Sequence, residues 1–124
     1  MKVLVYETSN DRAKLIRDLL GTYRYKVFFN HNDNGSLDSI QDIRPSLIIM
    51  SVNNRSHIEL LEKIKQHNRY SKIPVILISK INSQELVDRF NKMPNVDYLV
   101  EPFKIKNFRH IVERWITFRS LYVN

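Results

Sequence analysis

The chain opens on a short apolar run, Val3–Tyr6, then a polar break at Glu7-Thr8-Ser9-Asn10, then apolar residues at helical spacing: Ala13, Leu15, Ile16, Leu19 and Leu20. The run reads as a β-strand and the stripe as one face of a helix. Ser9 or Asn10 can cap that helix and Gly21 can end it. The same change of period recurs down the chain. Tyr25–Phe29 reads as a second strand, Asn30–Gly35 as a turn, and Leu37–Ile43 as a short helix stopped by Pro45. Leu47–Met50 is continuously apolar, as a strand covered on both faces should be. Ile58, Leu60, Leu61 and Ile64 mark a third helix. Ile73–Ile78 is a fourth strand with Pro74 near its start, where a missing N–H is tolerated. Leu86, Val87 and Phe90 mark a fourth helix, capped near Asn82 or Ser83 and closed before Pro94. Val96–Val100 is a fifth strand, and Ile105, Phe108, Ile111, Val112, Trp115 and Ile116 trace a fifth helix towards the C-terminus.

Strict alternation of strand and helix implies an α/β protein, with a parallel sheet, right-handed crossovers and helices on both faces. At 124 residues the chain matches a single domain, residues 1–124, standing alone or as a piece of, or partner to, a larger protein. Sites in such folds lie beyond the carboxyl ends of the strands. Those ends carry Glu7 and Thr8, Ser51, Ser79 and Lys80, and Glu101 and Pro102.

Composition narrows the chemistry. With 43% hydrophobic and 27% charged residues the chain reads as a globular protein. The absence of cysteine excludes disulfides, thiolate metal sites and a cysteine nucleophile, and fits a reducing compartment. No apolar run approaches the length of a membrane span, so the expectation is a cytoplasmic protein without a membrane partner. Twenty Lys and Arg against 13 Asp and Glu give a net charge of +7, which suits a polyanion such as nucleic acid. The basic residues are spread along the whole chain, however, and no recognition motif accompanies them, so charge alone assigns no function.

Four segments in order, Lys2–Thr8, Arg44–Asn53, Ile73–Ser79 and Asp97–Phe103, make the chain resemble the response-regulator receiver domain over nearly its full length. The resemblance implies a flavodoxin-like (βα)5 three-layer sandwich with a five-stranded parallel sheet in the order 2-1-3-4-5. It also implies a site: two acidic residues after the first strand to hold Mg²⁺, a phosphoacceptor aspartate after the third, a Ser or Thr after the fourth, and a lysine before the proline after the fifth. Glu7 and Ser79 match. Thr8 stands at the second acidic position, Ser51 at the acceptor and Glu101 at the lysine.

These departures compromise the reaction separately. A neutral serine hydroxyl needs a base where an aspartate carboxylate does not. One carboxylate remains where three would gather for Mg²⁺, and Glu101 repels a phosphate that lysine would attract. The chain is therefore expected to be a non-phosphorylatable pseudo-receiver, not an enzyme, with no cofactor and no metal. A cation shared by Glu7 and Glu101 is the competing reading, against carboxylates that are solvated or paired with Lys80 or Lys104. A hydrolase reading of Ser51 lacks a glycine-flanked elbow and a histidine partner, since His31, His57, His67 and His110 read as surface or helix residues. Ser51→Ala should accordingly leave the fold nearly unchanged. The stretch Asn53–His57 lacks the proline and glycine common in the family, and the loop reads as shortened.

The resemblance further implies that Ser79 and Tyr98 are the hydroxyl and aromatic pair of the family's switch. Without a phosphate, Tyr98 is either locked in one rotamer by packing or free to report a different event, and packing as core material favours the first. The final helix carries Trp115, Phe118, Arg119, Leu121 and Tyr122, the residue types that interfaces concentrate. The expected function is a protein-interaction module in bacterial signalling. Its partner is a protein or a second copy, met through the fourth helix, fifth strand and fifth helix. A basic nucleic-acid-binding module and a receiver with altered metal or phosphate chemistry are the alternatives.

Overall fold

Five strands and five helices alternate in a computed structural model of the chain, which describes residues 1–31, 36–80 and 84–122, with side chains of the last helix described through Ile116. They are β1 (Lys2–Tyr6), α1 (Asn10–Leu20), β2 (Lys26–Asn30), α2 (Asp38–Ile43), β3 (Leu47–Val52), α3 (Arg55–Gln66), β4 (Val75–Ser79), α4 (Gln84–Asn91), β5 (Val96–Val100) and α5 (Ile105–Tyr122). All strand pairs are parallel, in the order β2-β1-β3-β4-β5. This is the flavodoxin-like arrangement expected from the sequence. None of the described helices is long and apolar enough to cross a membrane.

The sheet separates two cores. On one face Val3, Val5, Leu47, Ile49, Ile76 and Ile78 meet Ile16 and Leu20 of α1 and Phe108 and Val112 of α5. On the other, Leu4, Ile48, Met50, Val75 and Leu77 meet Ile40 of α2, Leu60, Leu61 and Ile64 of α3, and Phe90 of α4. The strand period of two assigns alternate residues to alternate cores. Every residue of β3 and β4 is buried, which explains why those strands read as unbroken apolar runs.

Local signals set the element ends. Ser9 caps α1, its Oγ accepting from the Arg12 amide at 3.3 Å. Gly21 follows that helix in a right-handed conformation (φ −65°), so the chain stops there without the left-handed turn that glycine usually supplies. The left-handed residue is instead Arg44 (φ 56°), which closes α2 just before Pro45. Asn54 caps α3, its Oδ1 accepting from the Ser56 and His57 amides. Only Asn53 and Asn54 separate β3 from α3, so the connection is as short as the sequence suggests.

Several boundaries differ from the sequence reading. β3 continues to Val52, which places Ser51 inside the strand, where it faces Ile78 across the sheet. Pro74 precedes β4, and its carbonyl accepts from the Ile48 amide. The proposed caps Asn82 and Ser83, and residues 32–35 of the turn after β2, lie outside the described residues. Trp115, which the sequence left evenly between a partner interface and the core, packs against the α1–α5 core, and its indole N–H donates to Asp97 Oδ2 at 2.8 Å. The α5 backbone reaches Tyr122, but the side chains of Phe118, Arg119, Leu121 and Tyr122 lie outside the described residues.

At the amino end of the sheet, Lys65 of α3 reaches under β4. Its Nζ donates to the carbonyls of Ile73 at 2.7 Å and Ser71 at 3.1 Å, with the Asn95 carbonyl at 3.5 Å. Burial disfavours the ammonium and lowers the Lys65 pKa to about 8.

Candidate functional site

Glu7 is the centre of the polar cluster at the carboxyl ends of the strands. It follows β1 directly, on the α1–α5 side of the sheet by strand alternation, and its side chain is fully buried. Its carboxylate meets three of the chain's own donors. The Ser51 hydroxyl donates to Oε1 at 2.5 Å, and the Ser9 amide donates to Oε2 at 3.1 Å. Arg12 Nε lies 3.5 Å from Oε1.

Arg12 then reaches a second acid, its Nη2 donating to Glu101 Oε2 at 2.6 Å. One edge of a single guanidinium thus spans two carboxylates, with side-chain exposures of 18% for Arg12, 0% for Glu7 and 13% for Glu101. Glu101 is anchored by its backbone amide, which donates to the Ser79 carbonyl at 2.8 Å. Its Oε1 is buried with no hydrogen-bond partner among the described residues. One cation against two anions leaves the cluster negative, the wrong sign for holding a phosphate.

Helix geometry brings Arg12 here. Side chains lean towards the amino end of their helix, so a first-turn residue of α1 folds back over the end of β1. The carboxylates' cation is therefore neither Lys80 nor Lys104, both exposed. The sequence reading passed over Arg12, although its position three residues after the cap was the available signal. It also missed His31, whose Nδ1 lies 2.9 Å from the Glu7 carbonyl and must carry the proton there. His57, expected at the surface or on a helix, is a helix residue but is buried in the first turn of α3. Its Nδ1 accepts from the Asn53 amide at 3.0 Å and so fixes the short β3–α3 link.

The remaining site residues are placed as follows. Thr8 is exposed beside Glu7. Ser79 is buried at the end of β4. Tyr98 of β5 is half-buried, packs on the α2–α3–α4 core and lies against Phe90 with ring centroids 6.5 Å apart. Strand alternation puts Ser79 and Tyr98 on the face opposite Glu7 and Ser51. A groove of about 480 Å³ runs beside the cluster between α1 and the start of α5, with Arg12 and Glu101 in its wall and Leu15 and Ile105 exposed on its rim.

These residues do not fit the Mg²⁺ that the resemblance implies. A metal requires several oxygen ligands with lone pairs turned towards it. Glu7 turns both oxygens to donors within the chain, Ser51 spends its proton on Glu7, and a guanidinium already supplies positive charge. Among the described residues no group of three or more His, Asp or Glu side chains is placed to hold an ion.

No family model matches the chain. Sequence similarity reaches the circadian input-output histidine kinase CikA of Synechocystis, 28% identical over 102 residues, which cover 82% of this chain and 14% of the kinase. It also reaches the two-component response regulator ARR5 of Arabidopsis thaliana, 28% identical over 81 residues, 64% of this chain and 44% of that protein. The chain thus spans well under two thirds of either relative. The signal receiver domain of a signal transduction histidine kinase from Syntrophus aciditrophicus superposes with a TM-score of 0.83 at 22% identity, covering 99% of this chain and 93% of that one. Together the fold and the sequence similarities support a receiver domain of two-component signalling.

Proposed function

We propose that this receiver domain is a non-phosphorylatable pseudo-receiver, a non-enzymatic protein-interaction module that works without a phosphoryl switch. One observation carries the reading: the acceptor position holds a buried hydroxyl hydrogen-bonded to Glu7, a carboxylate that Arg12 already neutralises. Phosphoryl transfer is mainly positioning and neutralisation of charge on the moving group. Here the acceptor is neutral, the nearby carboxylates face inward, and Glu101 presents negative charge where the phosphate would be held. The similarity to parts of histidine kinases and response regulators supports a cytoplasmic place in a signalling chain. Its partner is a protein or a second copy meeting the face of α4, β5 and α5.

Incubation with Mg²⁺ and acetyl phosphate, or with beryllofluoride, tests the reading by intact mass and two-dimensional NMR. The expected outcome is no adduct and no ligand-dependent shift, and an adduct at Ser51 overturns it. Truncation at Thr117 tests the interface. Self-association or partner binding should weaken while the circular dichroism spectrum persists, and an unchanged sedimentation profile and pull-down would count against α5.

A further inference from the structure

We infer that Arg12 is an internal counter-cation that bars divalent metal ions from this site, so that restoring the acceptor carboxylate alone does not restore metal binding. The inference rests on the inert-pocket reading above and assigns its cause to one side chain. The Nε–Nη2 edge of Arg12 lies 3.5 Å from Glu7 Oε1 and 2.6 Å from Glu101 Oε2, drawing two carboxylates that follow different strands onto one cation. Such bridging is what a metal ion would do with the same acids. Arginine does it with a charge that cannot be removed by deprotonation and with donors in a fixed planar fork.

The alternatives to Arg12 as the barrier are the missing acids themselves, Ser51 at the acceptor and Thr8 beside Glu7. The geometry separates them. Glu7 Oε1, the oxygen nearest Ser51, is also the oxygen that Arg12 Nε approaches. An aspartate placed at residue 51 would meet the same guanidinium. It would add a third anion to the cluster around Arg12 and gain an ion pair there, with no open coordination position created. The arginine is anchored for this role from below, since its own amide caps onto Ser9 and its side chain is mostly buried. Removing its charge while supplying the carboxylate is therefore the change that opens the site.

The experiment compares the native chain, Ser51→Asp, and Ser51→Asp with Arg12→Gln, using Mn²⁺ as the probe. Paramagnetic broadening of the Glu7 and Thr8 amide signals reads proximity, and titration reads affinity. The native chain and Ser51→Asp should show no site-specific broadening. The double variant should bind Mn²⁺ at least about tenfold more tightly than Ser51→Asp, about 1.4 kcal/mol. If the double variant does not fold unaided, Mn²⁺ should restore its circular dichroism spectrum by mass action and leave that of Ser51→Asp unchanged. Equal affinities for the two variants, or no binding and no metal-dependent refolding of the double variant, would overturn the role of Arg12. Site-specific binding by the native chain would instead overturn the inert-pocket reading itself.

Discussion

Replacing Arg12 with alanine removes the cation that joins α1 to the ends of β1 and β5. Breaking a fully buried ion pair by deleting one partner costs about 3–5 kcal/mol, because the other charge is stranded. Glu7 is completely buried, but Arg12 keeps 18% of its side chain exposed and Glu101 keeps 13%, so water relieves part of that loss. The expected destabilisation is about 2–3 kcal/mol, below the range for a fully buried pair because of that exposure. Urea denaturation followed by the fluorescence of Trp115, the only tryptophan, measures it directly. With a urea slope of about 1.5 kcal/mol/M, typical of a domain this size, the midpoint should fall by about 1.3–2 M. Glu101→Gln in the Arg12→Ala background removes one stranded charge and should recover about 1 kcal/mol, a coupling normal for contacting groups. A loss below about 0.5 kcal/mol, within the range of an inconsequential surface change, or strict additivity of the two substitutions, would refute the description of Arg12 as the keystone cation.

Three further outcomes are expected. Ser51→Ala removes a hydroxyl that donates to a buried carboxylate and should cost about 1.5–2 kcal/mol in urea, towards the low end for charged hydrogen bonds because Glu7 retains Arg12 and the Ser9 amide. Asp97→Ala releases both Trp115 Nε1 and Arg114 and should cost about 1–1.5 kcal/mol, with a red-shifted native tryptophan emission reporting a wetter indole. Lys65 has a folded pKa near 8, below its unfolded value of 10.5, so the unfolded chain binds more protons between those limits and stability should rise with pH there. Tyr6, Tyr23 and Tyr25 have folded pKa values raised by burial, so above pH 10 the folded chain binds more protons and stability should fall. Lys65→Met should abolish the rise between pH 8 and 10 in urea titrations at constant ionic strength, and a rise of the same size in the variant would exclude Lys65 as its source.

The architecture was legible because apolar periodicity changes cleanly from two to helical spacing and because β3 and β4 are buried on both faces. The residues at the strand ends were legible for the same reason, since a parallel α/β sheet offers few places for a site. What the sequence did not expose is pairing. Glu7 and Glu101 were weighed against Lys80 and Lys104, the basic residues that follow β4 and β5. The cation that meets them comes from α1, 89 residues from Glu101, through the backward lean of a first-turn side chain. The expectation that Ser51→Ala would leave the fold nearly unchanged did not take in the hydroxyl's hydrogen bond to Glu7, for a related reason. Serine was judged by the chemistry it lacks as an acceptor, whereas its hydroxyl has a structural role in satisfying a buried acid. His57 was likewise hidden, because an imidazole accepting from the backbone one turn before its own helix is a loop device with no periodic signature.

Asn95 carries a consequence for which side of the sheet each residue of β5 occupies. It adopts a left-handed backbone (φ 57°), its carbonyl accepts from the Val75 amide at 3.0 Å, and its side chain donates to the Lys72 carbonyl at 3.1 Å. These contacts pin the amino end of an edge strand against β4, with Val75 opposite Val96. Side chains alternate along β5, so a slip of one residue in its register against β4 would turn the strand over. Asp97 would then enter the apolar layer beneath α4, and Tyr98 would displace it under α5, leaving Trp115 and Arg114 without their anchor. Asn95 thus acts as a ratchet tooth, holding the single register in which each face of β5 meets its own helix.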